Sequence, residues 1–149
     1  MRRRTPGTGN RALLVCRLLN RARVRYLVAG AVAGNLHGVV RATKGVDLLI
    51  PRDPANTARL LQALSVLPYG IASELDPDEV ASKPFTIIGD DPRVDLLTVA
   101  ASVTFDQAHP RRIVRTIAGV RVPYLNREDF VRSKQTGRPQ DLADLEQLG

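Results

Sequence analysis

The chain has little of several residues that mark common classes of protein. It contains one cysteine, no tryptophan and only 4% aromatic residues among its 149 positions. A single cysteine cannot form an internal disulfide, which fits a reducing compartment. The uninterrupted apolar runs are too short to span a bilayer, and the start "MRRRTPGTGN" lacks the apolar segment of a secretory signal. We therefore expect a cytoplasmic protein without a membrane anchor, whose core is built from aliphatic residues.

Length and net charge indicate the number of domains and the kind of binding partner. The 149 residues, 44% of them hydrophobic, predict a single domain with one packed core, preceded by a flexible tail at residues 1–9. The net charge is +7, from 22 lysines and arginines against 15 aspartates and glutamates. A basic surface favours nucleic acid, nucleotides or other polyanions as partners, although a solubility charge or a basic tail explains the excess equally well.

The apolar pattern predicts an α/β (or α+β) domain with a mixed sheet and helices packed on it. The expected helices are 10–23, a short one closed by Gly38, 54–67, 127–137 and 138–148, with a short helix or turn at 76–82. The expected strands are 24–30, 45–50, 84–89, 93–99 and two within 111–125, and residues 104–110 are expected to be a connector. Cys16 falls in the first apolar helix, so we expect a buried thiol rather than a nucleophile.

Two of the predicted strands contain the same four residues, "VDLL", with Asp47 in one and Asp95 in the other. An aspartate between apolar strand residues is costly unless a metal ion or a hydrogen-bond donor compensates it. Neighbouring strands lie about 4.8 Å apart, so two carboxylates on one face can share a cation. The alternative is two solvated aspartates at the edge of the sheet. Upstream, the strand "YLVAG" runs into a turn at Gly30 and Ala31, where backbone N–H groups can bind phosphate, although an ordinary tight turn is more common.

Together these features resemble the nucleotidyltransferase-fold superfamily, whose fold is DNA polymerase beta-like. The resemblance is to its small bacterial and archaeal branch, near the minimal nucleotidyltransferases and the abortive-infection type toxins. It covers most of residues 24–148. The matching residues are Gly30-Ala31, Gly45-Val46-Asp47 and Asp95, within "LVAGAVAGNLHGVVRATKGVDLLI", and the tail "LNREDFVRSKQTGRPQDLADLEQL".

The resemblance implies transfer of a nucleoside monophosphate from a nucleoside triphosphate to an acceptor hydroxyl on RNA or protein, with Mg²⁺ or Mn²⁺. It implies that Asp47 and Asp95 are catalytic metal ligands. The candidate nucleotide-binding residues are Gly30, Ala31, Arg41, Thr43, Lys44 and Lys134. For Arg41 and Lys44 a solvated surface charge is the alternative, and His37 is either a nucleotide contact or a packed residue. We expect Arg138 at the surface, and Asp141 and Asp144 complementing the dipole of the last helix.

Gly45 departs from the family pattern, because it occupies the position of the first metal-binding carboxylate. We therefore expect impaired catalysis, unless a nearby acid such as Asp90 or Asp91 has taken the role. Two alternatives remain open. The chain can be a non-catalytic nucleotide- or RNA-binding pseudoenzyme of the same fold, or the partner subunit of a two-component system of the toxin–antitoxin kind.

Overall fold

The computed structural model describes residues 9–149, so the predicted flexible tail lies outside the described residues except for Gly9. The described part contains seven α-helices and eight strands. The helices are α1 (Asn10–Arg21), α2 (Gly30–Leu36), α3 (Pro54–Leu64), α4 (Pro77–Ser82), α5 (Phe105–Ala108), α6 (Arg127–Ser133) and α7 (Pro139–Leu148). The strands are β1 (Leu27–Ala29), β2 (Gly45–Leu49), β3 (Phe85–Ile88), β4 (Arg93–Leu97), β5 (Val99–Ala100), β6 (Val103–Thr104), β7 (Ile113–Ile117) and β8 (Val120–Tyr124).

The main sheet has six strands in the order β3-β4-β2-β1-β8-β7. The pairs β2–β4 and β1–β8 are parallel, and the other neighbouring pairs are antiparallel. The predicted α/β architecture with a mixed sheet is therefore confirmed. Because β2 lies between β4 and β1, Asp47 is in the interior of the sheet rather than at its edge.

The strand pattern separates an apolar face from a polar one. Val46 and Leu48 of β2 and Val94 and Leu96 of β4 are buried, whereas positions 45, 47, 93 and 95 on the other face are only partly covered or exposed. Alternate residues of a strand point to opposite faces, so these valines and leucines join the core while both aspartates face away from it. Leu49, further along the face of the aspartates, is buried as well. α1 packs against β8, β2 and α3, and α2 packs against β1, β2 and α6.

The first helix buries Cys16 as predicted. The Cys16 side chain is buried beside Tyr26, and burial raises the pKa of the Cys16 thiol to about 11. A thiol with such a pKa stays protonated at neutral pH and is a poor nucleophile. None of the helices formed by the described residues is long and apolar enough to cross a membrane.

Two local predictions are wrong. Residues 104–110 contain α5, which begins with a capping box in which Thr104 and Gln107 bond each other's backbone N–H. The strand predicted at 93–99 is interrupted at Thr98, whose hydroxyl donates to the carbonyl of Lys83. The chain then pairs β5 with β6 in a separate two-stranded sheet.

Candidate functional site

The two "VDLL" strands place their carboxylates side by side. In the parallel pair β2–β4, Asp47 lies opposite Asp95 and Gly45 lies opposite Arg93. Positions 45, 47, 93 and 95 therefore share one side of the sheet. We call these four residues the Asp47 face. The structure thus brings together Gly45, Asp47 and Asp95, and adds Arg93, which the sequence analysis did not select.

Asp47 carries a carboxylate that the fold does not neutralise directly. Burial, and then the charge of Asp95, raise the pKa of Asp47, while the cations Lys134, Arg93 and Arg41 act in the opposite direction. Among residues 9–149, no side chain or backbone N–H donates a hydrogen bond to the Asp47 carboxylate. A poorly solvated carboxylate beside a second one costs stability, and a bound cation would relieve both effects.

We expect Asp47→Asn to stabilise the chain by about 1 kcal/mol at neutral pH, because it removes that charge. A carboxyl whose pKa is raised by folding destabilises the folded state above that pKa and not below the pKa of the unfolded chain. The increase in stability caused by Asp47→Asn is therefore present at pH 7 and vanishes as the pH falls towards about 4. Thermal unfolding should show an increase in Tm of roughly 2–4 °C at neutral pH. Equal or lower stability of Asp47→Asn at pH 7 would contradict this reading of Asp47.

Gly30 is required by the position of Asp47. Gly30 has a φ of +60°, and a Cβ added there would lie 1.8 Å from Oδ2 of Asp47. The turn that begins α2 therefore contacts the carboxylate directly, and only glycine leaves room for it. This explains the glycine after β1 by close approach as well as by backbone conformation.

We expect Gly30→Ala to destabilise the chain by about 2–4 kcal/mol, since it combines a left-handed backbone with a steric clash. Gly38 provides the matched control, because its φ is +98° but an added Cβ meets nothing within 4 Å. Chemical unfolding of Gly30→Ala and Gly38→Ala separates the two contributions. Equal losses in both variants would mean that the contact with Asp47 is unimportant.

Arg93 holds Asp95 in a two-point ion pair. Its Nε lies 2.8 Å from Oδ1 and its second guanidinium nitrogen 3.2 Å from Oδ2 of Asp95. Both carboxylate oxygens of Asp95 therefore already accept hydrogen bonds from a cation. Arg93 precedes Asp95 by two residues, so this partner follows from the strand period, and that spacing is the signal that identifies it.

Gly45 sits where β2 approaches β4 closely. A Cβ at Gly45 would lie 2.6 Å from the backbone oxygen of Arg93. The hydroxyl of Thr43 donates to the carbonyl of Gly45 at 3.0 Å and accepts from its N–H at 3.3 Å. Thr43, predicted to bind nucleotide, therefore also fixes the start of β2. Any larger residue at position 45 requires the start of the strand to move.

The last two helices are joined by a buried ion-pair network. Nζ of Lys134 lies 3.3 Å from Asp141 and 3.0 Å from Asp144, and Arg41 lies 2.7 Å from Asp144. Asp141 also accepts hydrogen bonds from Thr136 and Arg138. Burial opposes ionisation of Asp141, but the hydrogen bond from Thr136 and the charge of Lys134 hold its pKa below the usual value.

The network corrects the expected role of two acids. Asp141 and Asp144 are buried partners of Lys134, rather than acids that serve only the dipole of α7. Nothing in the spacing of the sequence reveals these contacts, because they depend on how α6 and α7 fold back on each other. Arg138 is at the surface as expected, with a side chain that is 74% exposed.

Asp47 borders three adjoining cavities, and these collect the other predicted residues. The largest, about 590 Å³, is lined by Ala31, Arg41, Thr43, Asp47, Lys134 and Arg138 among others. A second includes Gly30, and a third includes Lys44, Gly45 and Asp95. The six candidate nucleotide-binding residues, Gly30, Ala31, Arg41, Thr43, Lys44 and Lys134, therefore each line a cavity that Asp47 also lines. The N–H groups of the cationic ones can donate to phosphate oxygens.

Three other candidates have structural roles away from this face. His37 forms a hydrogen bond of 2.8 Å between its Nε2 and the carbonyl of Leu125, and its ring packs against Tyr124 and Phe130. The backbone N–H groups of Tyr69, Ile71 and Asp91 donate to Asp90, and Asp91 forms an ion pair with Arg11. The histidine is thus the packed residue, one of the two alternatives that the sequence left open, and neither Asp90 nor Asp91 lies on the Asp47 face.

The donor set of the Asp47 face fits one divalent cation better than two. Mg²⁺ is commonly held by one or two carboxylates together with substrate phosphates and water, and Asp47 and Asp95 supply two. Both carboxylate oxygens of Asp95 also accept hydrogen bonds from Arg93, and Gly45 has no side-chain oxygen to offer a metal ion. Within residues 9–149, no three side chains of His, Cys, Asp or Glu lie close enough together to hold a metal ion.

The Asp47 face and the cavities beside it are thus the features on which a function can be based. No model of a known protein family matches the chain, and no curated protein matches it in sequence.

Proposed function

We propose that the chain is a nucleotidyltransferase-like domain. It binds a nucleoside triphosphate with one divalent cation at the Asp47 face and transfers the nucleoside monophosphate to an acceptor hydroxyl only weakly. The observation that carries this proposal is the in-register pair Asp47 and Asp95 beside the Gly30 turn. The interior position of Asp47, without a hydrogen-bond donor among the described residues, has no explanation in folding alone. The mixed sheet is consistent with the DNA polymerase beta-like fold that the resemblance implies.

In this proposal, the largest cavity beside Asp47 binds the phosphate groups of the triphosphate. Arg41, Lys134 and Arg138 line it, and each forms an ion pair with Asp141 or Asp144. The cavity therefore offers a triphosphate the remaining guanidinium and ammonium N–H groups as donors rather than unmatched positive charge. Ala31 presents only a methyl group to this cavity, so phosphate can approach the backbone of the turn there, whereas the Asp47 carboxylate occupies the space beside Gly30. Asp47 and Asp95 would hold Mg²⁺ or Mn²⁺, which supplies neutralisation of phosphate charge.

The same residues explain why transfer is weak. Removing the proton from an acceptor hydroxyl requires a nearby anionic or basic group. Gly45 offers no carboxylate, and the guanidinium of Arg93 occupies both oxygens of Asp95. Binding of the triphosphate depends less on these groups than activation of the hydroxyl does. The acceptor is RNA, in line with the net charge of +7, or a protein.

An incorporation assay tests the proposal. The chain is incubated with each of the four labelled nucleoside triphosphates, Mg²⁺ or Mn²⁺, and either RNA or protein acceptors. We expect slow labelling that is abolished by Asp47→Asn, while calorimetry shows binding of the triphosphate. Absence of both labelling and triphosphate binding would overturn the proposal.

One observation favours a second function, a non-catalytic nucleotide- or RNA-binding module. The ion pair between Arg93 and Asp95 places a permanent cation on the Asp47 face, where it can substitute for a metal ion in holding phosphate. Such a module can serve as the partner subunit of a two-component system of the toxin–antitoxin kind. Triphosphate binding that persists in the presence of a chelator, without labelling under any condition, identifies this second function.

A further inference from the structure

Another cavity, of about 410 Å³, lies apart from the three cavities beside Asp47, at the opposite end of β1 from Gly30. Tyr26 and Gly30 flank β1 at a separation of roughly 13 Å along the strand. The cavity is bounded by the end of α1, the residues before β1 and the β7–β8 hairpin. Its polar and charged lining includes Asn20, Arg23, Arg25, His109, Arg112 and Arg121, and it contains no carboxylate. We call it the arginine pocket.

None of the four arginines of the pocket forms a salt bridge within residues 9–149, and the lining of the pocket includes no carboxylate. Two of these arginines, Arg25 and Arg112, are positioned by contacts that do not neutralise their charge. The guanidinium of Arg25 lies 5.1 Å from the centroid of the Phe105 ring, and its backbone bonds the Asn56 side chain at 2.7 and 3.0 Å. Arg112 donates to the carbonyl of His109 at 2.9 Å. The pocket therefore holds cations in place without neutralising them.

His109 reports the electrostatic potential of the pocket. Its partial burial, and then the charges of Arg112 and Arg25, lower the pKa of the imidazole, while Asp106 opposes them. The ring stacks on Phe105 with centroids 4.9 Å apart, so its position is fixed. A bound anion would reverse the effect of the two arginines and raise the pKa of His109.

We propose that the arginine pocket is a binding site for phosphate groups, as carried by the backbone of a single-stranded RNA. Guanidinium groups match phosphate oxygens in two-point hydrogen bonds, and four of them border one concave surface. All four side chains are exposed rather than enclosed. This arrangement suits an RNA strand that crosses the pocket, because the phosphates of the RNA can reach the guanidinium groups while the rest of the ligand stays in solvent. The site is separate from the Asp47 face and does not depend on the function proposed for it.

A salt titration with matched variants tests the site. Fluorescence anisotropy follows binding of a labelled RNA of about 12 nucleotides to the unmodified chain and to the Arg112→Gln/Arg121→Gln variant. Each lost phosphate contact should reduce the slope of log K against log salt by about 0.7, so the double variant should lose about 1.4 and bind at least tenfold more weakly. Arg11→Gln/Lys83→Gln is the control, since it removes the same net charge from exposed positions outside the pocket. Equal losses in the two double variants, or no RNA binding at low salt, would overturn the proposal.

The two histidines of the chain allow a second test in the same protein. NMR titration of the imidazole protons is carried out with inorganic phosphate, adenosine monophosphate or the RNA. We expect the RNA to raise the pKa of His109. We expect no RNA-induced change in the NMR signals of His37, which is packed against Tyr124 and Phe130. An increase with the small phosphates as well assigns the pocket to phosphate esters in general. A His109 pKa that none of the three probes alters would overturn the site.

Discussion

Gly45→Asp is expected to raise the rate of nucleotide transfer by about a thousandfold or more. A carboxylate at position 45 would lie on the same face as Asp47 and opposite Arg93, because these positions are in register in the β2–β4 pair. It would add the missing anionic ligand and give Arg93 a second partner, which releases Asp95. Several kcal/mol of transition-state stabilisation from one added metal-binding carboxylate correspond to this change in rate.

The structure also assigns a cost to this substitution. Any Cβ at position 45 would lie 2.6 Å from the backbone oxygen of Arg93, so the start of β2 must move. Gly45→Ala introduces the same Cβ without a carboxylate and is the matched control. We expect both variants to lose about 1–2 kcal/mol of stability, and only Gly45→Asp to gain transfer. The measurement is single-turnover incorporation of labelled nucleotide at matched Mg²⁺ and Mn²⁺ concentrations.

Arg93→Gln distinguishes two reasons for a weak response to Gly45→Asp. If Arg93 retains Asp95, the double variant Gly45→Asp/Arg93→Gln should be faster than Gly45→Asp alone. Rapid transfer by the unmodified chain, or equal gains in Gly45→Ala and Gly45→Asp, would show that position 45 does not limit the reaction.

Lys134→Met is expected to destabilise the chain by about 3 kcal/mol, because it leaves the buried acids Asp141 and Asp144 with fewer compensating charges. Arg138→Met is the control, since Arg138 also contacts Asp141 but has a 74% exposed side chain, and we expect less than about 1 kcal/mol for it. Urea unfolding at pH 7 measures both values. Similar losses in the two variants would mean that burial of Lys134 contributes nothing.

The effect of Lys134→Met should depend on pH. Folding lowers the pKa of Asp141, so its ionised form stabilises the fold above the usual carboxyl pKa of about 4. This contribution is lost as the pH falls through the lowered pKa of the folded state. The difference between the unmodified chain and Lys134→Met should therefore shrink below about pH 4. A difference that stays constant down to pH 3 would exclude Asp141 as the partner.

The sequence predicts those elements that depend on residues close together in the chain. Aliphatic residues around Asp47 and Asp95 predict β2 and β4, and the helices predicted at 54–67 and 127–137 begin where α3 and α6 begin. Asp53 and Asn126 each accept a hydrogen bond from a backbone N–H of the helix that follows. Such signals lie within a few residues of one another, so a single sequence contains them.

The rest depends on contacts between residues that are distant in the chain. The approach of Gly45 to the carbonyl of Arg93 arises only when β2 and β4 pair, and the pair of Lys134 with Asp144 only when α7 folds back. The arginine pocket likewise joins residues from Asn20 to Pro123. The two-residue spacing within β4 predicts that Arg93 lies beside Asp95. That Arg93 also lies opposite Gly45 becomes clear only when β2 and β4 pair.

Whether the Asp47 face binds nucleotide and metal is tested by its affinity for a nucleoside triphosphate. Isothermal titration calorimetry with Mg²⁺–ATP and Mg²⁺–GTP compares the unmodified chain, Asp47→Asn and Asp95→Asn, with Asp91→Asn as a control acid outside the face. We expect binding by the unmodified chain and by Asp91→Asn, and at least a tenfold loss in the other two variants, although Asp47→Asn is the more stable protein. Affinities that are equal in all four proteins, or an absence of binding in all four, would contradict the assignment of this face to nucleotide and metal.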